Sequence, residues 1–119
     1  MVLIGLASYS QNFVGESFRD VKKSMNDKGF IISEKFVDGV YRLQASDNNE
    51  IRFYYFSDDN TCYAYRLFLF DQTYSEIEKS LLSIGYRKIS SRIFNNEKYK
   101  AEIEYLESEK QWYVTITKK

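Results

Sequence analysis

The side chains suited to acid–base or metal chemistry are few in this sequence. The chain contains no His and one Cys, Cys62, which excludes the commonest general base, a Cys–His pair and the usual zinc sites. Glu102, Glu104 and Glu107 could supply paired carboxylates, but acidic side chains on strands commonly pair with Lys or Arg of a neighbouring strand. We therefore expect no catalytic residues, and we predict that the protein is not an enzyme.

The acidic segment Asp58-Asp59-Asn60 is the place that most suggests a bound cation. It lacks the spaced oxygen ligands and the following Glu of a calcium loop, whereas its residue types are typical of a hairpin turn. The sequence also has no Gly-rich phosphate loop. The segment is therefore predicted to be a turn, and we expect neither a metal site nor a cofactor.

Length and charge limit the remaining classes of function. The chain has 119 residues, no Pro and five Gly, which fits a single domain over residues 11–119 without a linker. Basic and acidic residues balance at 17 each, whereas proteins that bind phosphate backbones usually carry a basic excess. We therefore expect no nucleic-acid partner. The apolar segment at the N-terminus is too short to span a membrane, so no membrane span is predicted.

The first ten residues admit two interpretations. Residues 1–6 are apolar, and Ser8 and Ser10 are small residues at the spacing of a signal-peptidase site. This pattern predicts that residues 1–10 are the remnant of a truncated secretory signal peptide, and hence a secreted or periplasmic location. The alternative is that they form a first β-strand of a cytoplasmic protein.

The strongest pattern in the sequence is an internal repeat. Residues 17–25 recur at residues 73–81. Each copy begins with a hydroxyl side chain suited to an N-cap, followed at the spacing of a capping box by an acidic residue. Apolar side chains at helical spacing follow, up to a Gly, Gly29 or Gly85, that suits the left-handed end of a helix. The pattern predicts two amphipathic helices, 17–28 and 73–84.

After each helix the pattern changes from helical to alternating, which indicates strands. The predicted strands are 30–36, 40–46, 50–57 and 61–70 in the first copy, and 86–94, 98–107 and 111–118 in the second. Asp38-Gly39 is a typical two-residue hairpin turn. The last hairpins of the copies also align, with a register six residues tighter than that of the helices, so the second copy is predicted to have lost most of the early hairpin. Cys62 aligns with Trp112, which indicates a core side chain rather than a reactive thiol.

These patterns together predict an α+β fold with two tandem repeats, repeat 1 over residues 12–70 and repeat 2 over residues 71–119. Two helices cannot cover both faces of a six- or seven-strand antiparallel sheet. We therefore predict a two-layer arrangement with both helices on one face. The opposite face is then left for solvent or for a partner.

Alternation along the strands supplies candidates for that second face. Tyr and Arg are residues that protein interfaces favour, and the alternative is that such side chains only solvate the sheet. The candidate protein-binding residues are Arg52, Tyr54, Arg66, Glu102 and Glu104.

The order of elements and one short motif resemble a known superfamily. The segment Gly15-Glu16-Ser17-Phe18-Arg19-Asp20-Val21 is similar to the helix opening Gly-x-Ser/Thr-x-x-Asp/Glu-Val of the β-lactamase-inhibitor-protein-like superfamily. That group includes tandem-repeat secreted inhibitors and single-repeat outer-membrane assembly lipoproteins. Its inhibitors have longer repeats with disulfides, so inhibition of a β-lactamase does not carry over. The resemblance implies a concave sheet used for binding protein.

The sequence therefore predicts a small secreted or periplasmic, non-catalytic module that binds another protein through a Tyr- and Arg-rich sheet face. One alternative is a cytoplasmic immunity-type protein that neutralises its partner. A second is a carrier that holds a small ligand between the helices and the sheet. The oligomeric state is left open.

Overall fold

The computed structural model describes residues 12–119, so the predicted signal remnant or first strand at residues 1–10 lies outside the described part. The elements, in chain order, are α1 (Phe18–Asp27), β1 (Ile31–Val37), β2 (Val40–Ser46), β3 (Glu50–Phe56), β4 (Cys62–Leu69), α2 (Tyr74–Ser83), β5 (Arg87–Lys88), β6 (Ile93–Asn95), β7 (Tyr99–Leu106) and β8 (Gln111–Lys118). The strands form one antiparallel sheet in the order β1-β2-β3-β4-β8-β7-β6-β5. The predicted α+β class is confirmed.

Both helices begin at the residues that the repeat predicts. The Ser17 hydroxyl accepts a hydrogen bond from the Asp20 N–H at 3.1 Å, and the Thr73 hydroxyl accepts one from the Glu76 N–H at 3.2 Å. At α2 the Glu76 carboxylate also accepts from the Thr73 N–H at 3.0 Å, which completes a capping box. At α1, within residues 12–119, the Ser17 hydroxyl accepts from the Asp20 N–H, but no reciprocal bond from the Asp20 carboxylate is formed, because the Asp side chain is one methylene shorter than that of Glu.

Both helices also end as the sequence predicts. Gly29 has a φ of 83° and Gly85 a φ of 100°, the left-handed conformation that Gly adopts without strain. The aromatic residue that follows, Phe30 or Tyr86, donates its N–H to a carbonyl of the last helical turn at 3.1 Å in each case. These bonds direct each aromatic ring into the core, where both are buried.

Among residues 12–119 the sheet contains eight strands rather than the predicted six or seven. The predicted strand 86–94 is interrupted at residues 89–92, where the Ser90 hydroxyl accepts from the N–H groups of Arg92 and Ile93 at 3.4 and 3.3 Å. Such local bonds compete with the strand ladder. The second unit therefore has only a short hairpin, β5–β6, at the position where most of the early hairpin was predicted to be lost. Each helix is followed by four strands, and origin by duplication stays a prediction.

A β-bulge changes the side-chain alternation predicted for the start of β4. Tyr55 pairs with Ala64, but the next residue, Phe56, pairs with Cys62, so Tyr63 is an extra residue on β4. Cys62 is therefore buried and Tyr63 exposed, although plain alternation would place Tyr63 on the same face as the buried Tyr65. A bulge of this kind re-aims the side chains of one strand relative to its partner.

The core lies between the helices and one face of the sheet, here called the helix face. Val21 and Met25 of α1 and Ile77 and Leu81 of α2 are at most 1% exposed. They belong to one core with buried side chains of six strands: Leu43, Ala45, Tyr54, Phe56, Tyr65, Leu67, Phe94, Ala101, Ile103, Val114 and Ile116. The two-layer arrangement with both helices on one face is therefore present.

The capping box at Thr73 leads to a test of α2. Thr73→Ala removes the acceptor for the Glu76 N–H and is expected to lower the free energy of unfolding by about 1 kcal/mol. Urea unfolding followed by far-UV circular dichroism measures this change. Thr73→Ser retains the hydroxyl and is the matched control; an equal loss in both variants would show that the methyl group, and not the cap, carries the effect.

Candidate protein-binding face

The face of the sheet opposite the helices, here called the open face, is a continuous surface across both units. The strand registers place one row of side chains side by side across five neighbouring strands. Between residues 12 and 119, neither helix contacts this face. The row consists of Gln44, Phe53, Arg66, Thr115 and Glu102.

Four aromatic side chains surround Arg66 at the centre of the open face, and together they form what we call the Arg66 patch: Phe53, Tyr55, Arg66, Phe68 and Tyr113. The rings of Phe68 and Tyr113 are stacked with centroids 4.6 Å apart, and Phe53 meets Phe68 edge-to-face at 5.5 Å. All five side chains are half-buried. The patch thus joins β3, β4 and β8 on the side of the sheet that the helices leave uncovered.

The Arg66 guanidinium lies between two tyrosine rings. Its Cζ atom is 5.5 Å from the centre of the Tyr55 ring and 5.7 Å from that of Tyr113, a distance at which a cation is attracted to the face of a ring. Within residues 12–119, Arg66 forms no ion pair, and its buried Nε has no hydrogen-bond acceptor. The rings hold the guanidinium in position while its charge stays without a carboxylate.

Glu102 and Glu104 lie on the open face beside this patch. Glu102 is 4.0 Å from the Lys100 ammonium on the same strand, and Glu104 accepts a hydrogen bond from the Thr115 hydroxyl at 3.4 Å. The pKa of Tyr113 is raised by burial and by the charge of Glu104, and Arg66 opposes this shift. A side-chain hydrogen bond to the Glu104 carboxylate also contributes to the raised pKa, so the Tyr113 phenol is neutral at physiological pH and its hydroxyl donates to Glu104.

Two of the predicted site residues do not belong to the open face. Arg52 is 4% exposed and Tyr54 is 0% exposed, and they pair with Leu67 and Tyr65, whose side chains face the helices. The prediction that Arg52 and Tyr54 are exposed is therefore wrong. The structure brings together only the other three candidates, Arg66, Glu102 and Glu104, on the open face.

Burial of Arg52 is possible because its polar neighbours lie in the core with it. Its Nε donates to the Glu50 carboxylate, and its Nη1 donates to the Tyr54 hydroxyl at 3.2 Å. Its Cζ lies 4.9 Å from the centre of the Phe30 ring. Burial acts to lower the pKa of Arg52, but Tyr54 and Glu50 outweigh it and raise the value. Burial also raises the pKa of Tyr54 to about 12, so its hydroxyl stays neutral.

The sequence analysis did not select the aromatic members of the Arg66 patch. In β3 both faces carry large apolar groups, so alternation alone does not tell which set faces the helices. A deciding signal was present in Glu50-x-Arg52-x-Tyr54. Polar side chains spaced by two along a strand point to the same face and can satisfy one another there.

A groove of about 260 Å³ lies beside the Arg66 patch on the open face. Its polar lining includes Lys35 and Arg42, and the Arg42 guanidinium lies 6.0 Å from the centre of the Tyr55 ring. This half of the open face is therefore basic. A larger depression of about 550 Å³ lies towards the other edge of the sheet, around Gly85, Asn96 and Tyr99, and no member of the Arg66 patch lines it.

Cys62 and the Asp58-Asp59-Asn60 segment, the residues whose types could have indicated a reactive thiol or a bound cation, lie in the core and in a turn. Cys62 is 1% exposed and free, and burial raises the pKa of its thiol to about 12, which keeps it in the unreactive form. Asp59 and Asn60 lie in the turn between β3 and β4, where the Asp59 carboxylate accepts from the Thr61 N–H at 3.2 Å. In the described part of the chain, no group of acidic, Cys or His side chains is arranged to hold a metal ion.

The two helices of residues 12–119 are too short and too polar for either of them to cross a membrane.

Comparisons of the chain with protein-family models, with curated proteins and with solved structures find no match. The resemblance to the β-lactamase-inhibitor-protein-like superfamily therefore stays a hypothesis that rests on the helix-opening motif and the order of elements.

The buried ion pair generates a prediction for stability. Arg52→Met leaves the Glu50 carboxylate in the core without this counter-charge and is expected to lower the free energy of unfolding by about 3–5 kcal/mol. The double variant Glu50→Leu with Arg52→Met removes both charges and should lose markedly less. Guanidinium chloride unfolding of the three proteins measures these differences.

Arg66→Met serves as the control, because it makes the same chemical change on the open face, away from a buried counter-ion. It should cost about 1 kcal/mol or less. A loss in the double variant as large as that in Arg52→Met would show that the ion pair itself, and not the unpaired charge, governs stability.

Proposed function

We propose that this protein is a small, non-catalytic module that binds another protein through the open face of its sheet. The observation that carries this proposal is the Arg66 patch. An Arg held between two tyrosines and surrounded by further aromatic rings has the composition of an interface hot spot, where Trp, Tyr and Arg dominate the binding energy. The patch lies on the side of the sheet that neither helix of residues 12–119 covers, where a partner could reach it.

The chemistry of the patch indicates the kind of partner. The Arg66 guanidinium has no carboxylate among residues 12–119, and a partner carboxylate would form a charge-assisted hydrogen bond with it. Lys35 and Arg42 in the adjacent groove extend the positive charge, whereas Glu102 and Glu104 lie on the other side. The best complement is a partner with an acidic side chain next to apolar side chains that cover Phe53 and Phe68.

The same surface serves the immunity-type alternative, which differs in cellular location and in the identity of the partner. The carrier alternative needs space between the helices and the sheet. That layer contains buried side chains from both helices and from six strands, which favours the protein-binding proposal over a carrier.

Affinity capture tests the proposal. Tagged full-length protein is incubated with an envelope extract of the source organism, and captured proteins are identified by mass spectrometry. We expect Arg66→Ala to reduce recovery of the specific partner at least tenfold, because hot-spot Arg side chains typically contribute about 2 kcal/mol or more. Titration of the recovered partner, followed by NMR, should shift the amides of β3, β4 and β8.

Arg92→Ala is the matched control. The Arg92 guanidinium also lies over an aromatic ring, 5.2 Å from that of Trp112, but Trp112 contacts Tyr74 of α2 and so belongs to the helix face. This variant should retain the partner. Equal capture by wild type and Arg66→Ala, or equal loss with Arg92→Ala, would refute binding through the open face.

We further propose that the module acts outside the cytoplasm. Support comes from the apolar opening of the sequence followed by Ser8 and Ser10. A C-terminally tagged protein expressed from its own locus, with its upstream DNA intact, should fractionate with the periplasm or the medium and begin at Gln11. Co-fractionation with a cytoplasmic marker enzyme, with residues 1–10 retained, would favour the immunity-type alternative instead.

A further inference from the structure

In the sheet formed by residues 12–119, strand β1 is one edge and is exposed along most of its length. Ile31 is 74% exposed, Phe36 is 64% exposed and Val37 is 37% exposed. The opposite edge strand, β5, has two residues, whereas β1 has seven. A long edge strand with exposed apolar side chains is a template for pairing with another strand, and soluble proteins usually protect such edges.

The turn between β1 and β2 shows which backbone groups of β1 point outward. Asp38 and Gly39 have φ values of 53° and 82°, as in a two-residue type I′ turn, which makes the flanking residues Val37 and Val40 a hydrogen-bonded pair. Hydrogen-bonded and non-hydrogen-bonded residue pairs alternate along an antiparallel strand pair, so the backbone groups of the odd-numbered residues of β1 form hydrogen bonds with β2. The N–H and C=O groups of Ile32, Glu34 and Phe36 point away from the sheet.

We propose that β1 pairs antiparallel with β1 of a second copy of this chain, about a two-fold axis that passes through Glu34. In this register the outward backbone groups of Glu34 bond to those of Glu34 in the second copy. The outward backbone groups of Ile32 form hydrogen bonds with those of Phe36 in the second copy. By symmetry, Phe36 of the first copy pairs with Ile32 of the second. Every outward-pointing group of β1 from Ile32 to Phe36 is thereby satisfied, as an edge ladder requires.

The side chains also match in this register. Ile32 lies opposite Phe36 of the second copy, and Ile31 lies opposite Val37, so apolar side chains meet on both faces of the extended sheet. The two Glu34 carboxylates meet at the axis. Each has the Lys22 ammonium of its own chain at 2.7 Å, so the charges at the axis balance. The net charge of zero adds no overall repulsion between the copies.

Neighbouring registers are less favourable. An axis through Ser33 places Ile32 opposite the Glu34 carboxylate and loses a hydrogen-bonded pair. An axis through Lys35 places two ammonium groups opposite each other, which destabilises a strand pair. The side-chain pattern of β1 therefore selects one self-complementary register.

The resulting dimer has one continuous sheet. A two-fold axis normal to the sheet keeps both open faces on the same side, so the two Arg66 patches lie on one surface. The dimer does not depend on the proposed partner of that surface. Arg66→Ala should leave the dimer intact, and loss of the dimer should leave each Arg66 patch unchanged, so the two proposals fail separately.

Sedimentation velocity of the full-length protein, from about 1 µM to about 1 mM, measures the dimer in the range of modest association constants. Wild type should dimerise with increasing concentration. Ile31→Lys with Val37→Lys places two ammonium groups opposite each other and should yield monomer throughout. Ile31→Lys with Val37→Glu places opposite charges at the same two positions and should restore the dimer.

Leu82→Lys is the matched control, because Leu82 is 47% exposed on α2, away from β1, and its replacement should leave the dimer unchanged. Circular dichroism of each variant reports whether it is folded. Hydrogen exchange adds a direct readout: the amides of Ile32, Glu34 and Phe36 should be protected in wild type and exchange rapidly in the double-lysine variant. A monomeric wild type would overturn the proposal. A dimer that survives both lysines would overturn the register.

Discussion

The pairing of β4 with β8 is the interaction on which the rest of the fold depends. This ladder runs from Ala64 opposite Thr117 to Leu67 opposite Val114, and it joins the sheet of the first unit to that of the second. Its register also decides the two faces. Because Leu67 and Val114 point to the helices, Arg66 and its neighbour Thr115 must point away from them. A shift of β8 by one residue would move Tyr113 out of the Arg66 patch to the helix face and would place Val114 and Ile116 on the open face.

Two arginines on adjacent strands have opposite environments. Arg52 on β3 is buried with the Glu50 carboxylate and the Tyr54 hydroxyl, and its charge is compensated inside the protein. Arg66 on β4 is half-buried between aromatic rings that hold it in place without neutralising it. Burial of an ion pair contributes little net stability, since desolvation offsets the attraction. We expect its main effect to be on the specificity of the fold, because the Glu50 and Tyr54 partners of Arg52 lie on the face of β3 that packs against α1.

Local signals in the sequence predicted the helices, strands and turns well. Features that depend on pairing between distant strands were harder to predict. Caps such as Thr73 and the left-handed Gly29 act within one helical turn, so they are visible in a short segment, as is the Asp38-Gly39 turn. The face assignment of β3 depends on its pairing with β4, and apolar residues on both faces conceal it. The bulge at Tyr63 reverses the alternation, and no residue type near it signals this change. The open face was therefore predicted in outline, but its aromatic members became evident only from the register.

The β4–β8 ladder also has a consequence for folding. Its partners lie about fifty positions apart in the chain, whereas the hairpins on either side connect near neighbours, and long-range pairing is slow because a large loop must close first. We expect each helix to pack on the strands of its own unit before β4 and β8 pair. Until that moment β4 and β8 are both unprotected edges rich in aromatic and aliphatic side chains. The time that the chain spends in this half-assembled form will determine how readily it aggregates during synthesis and refolding.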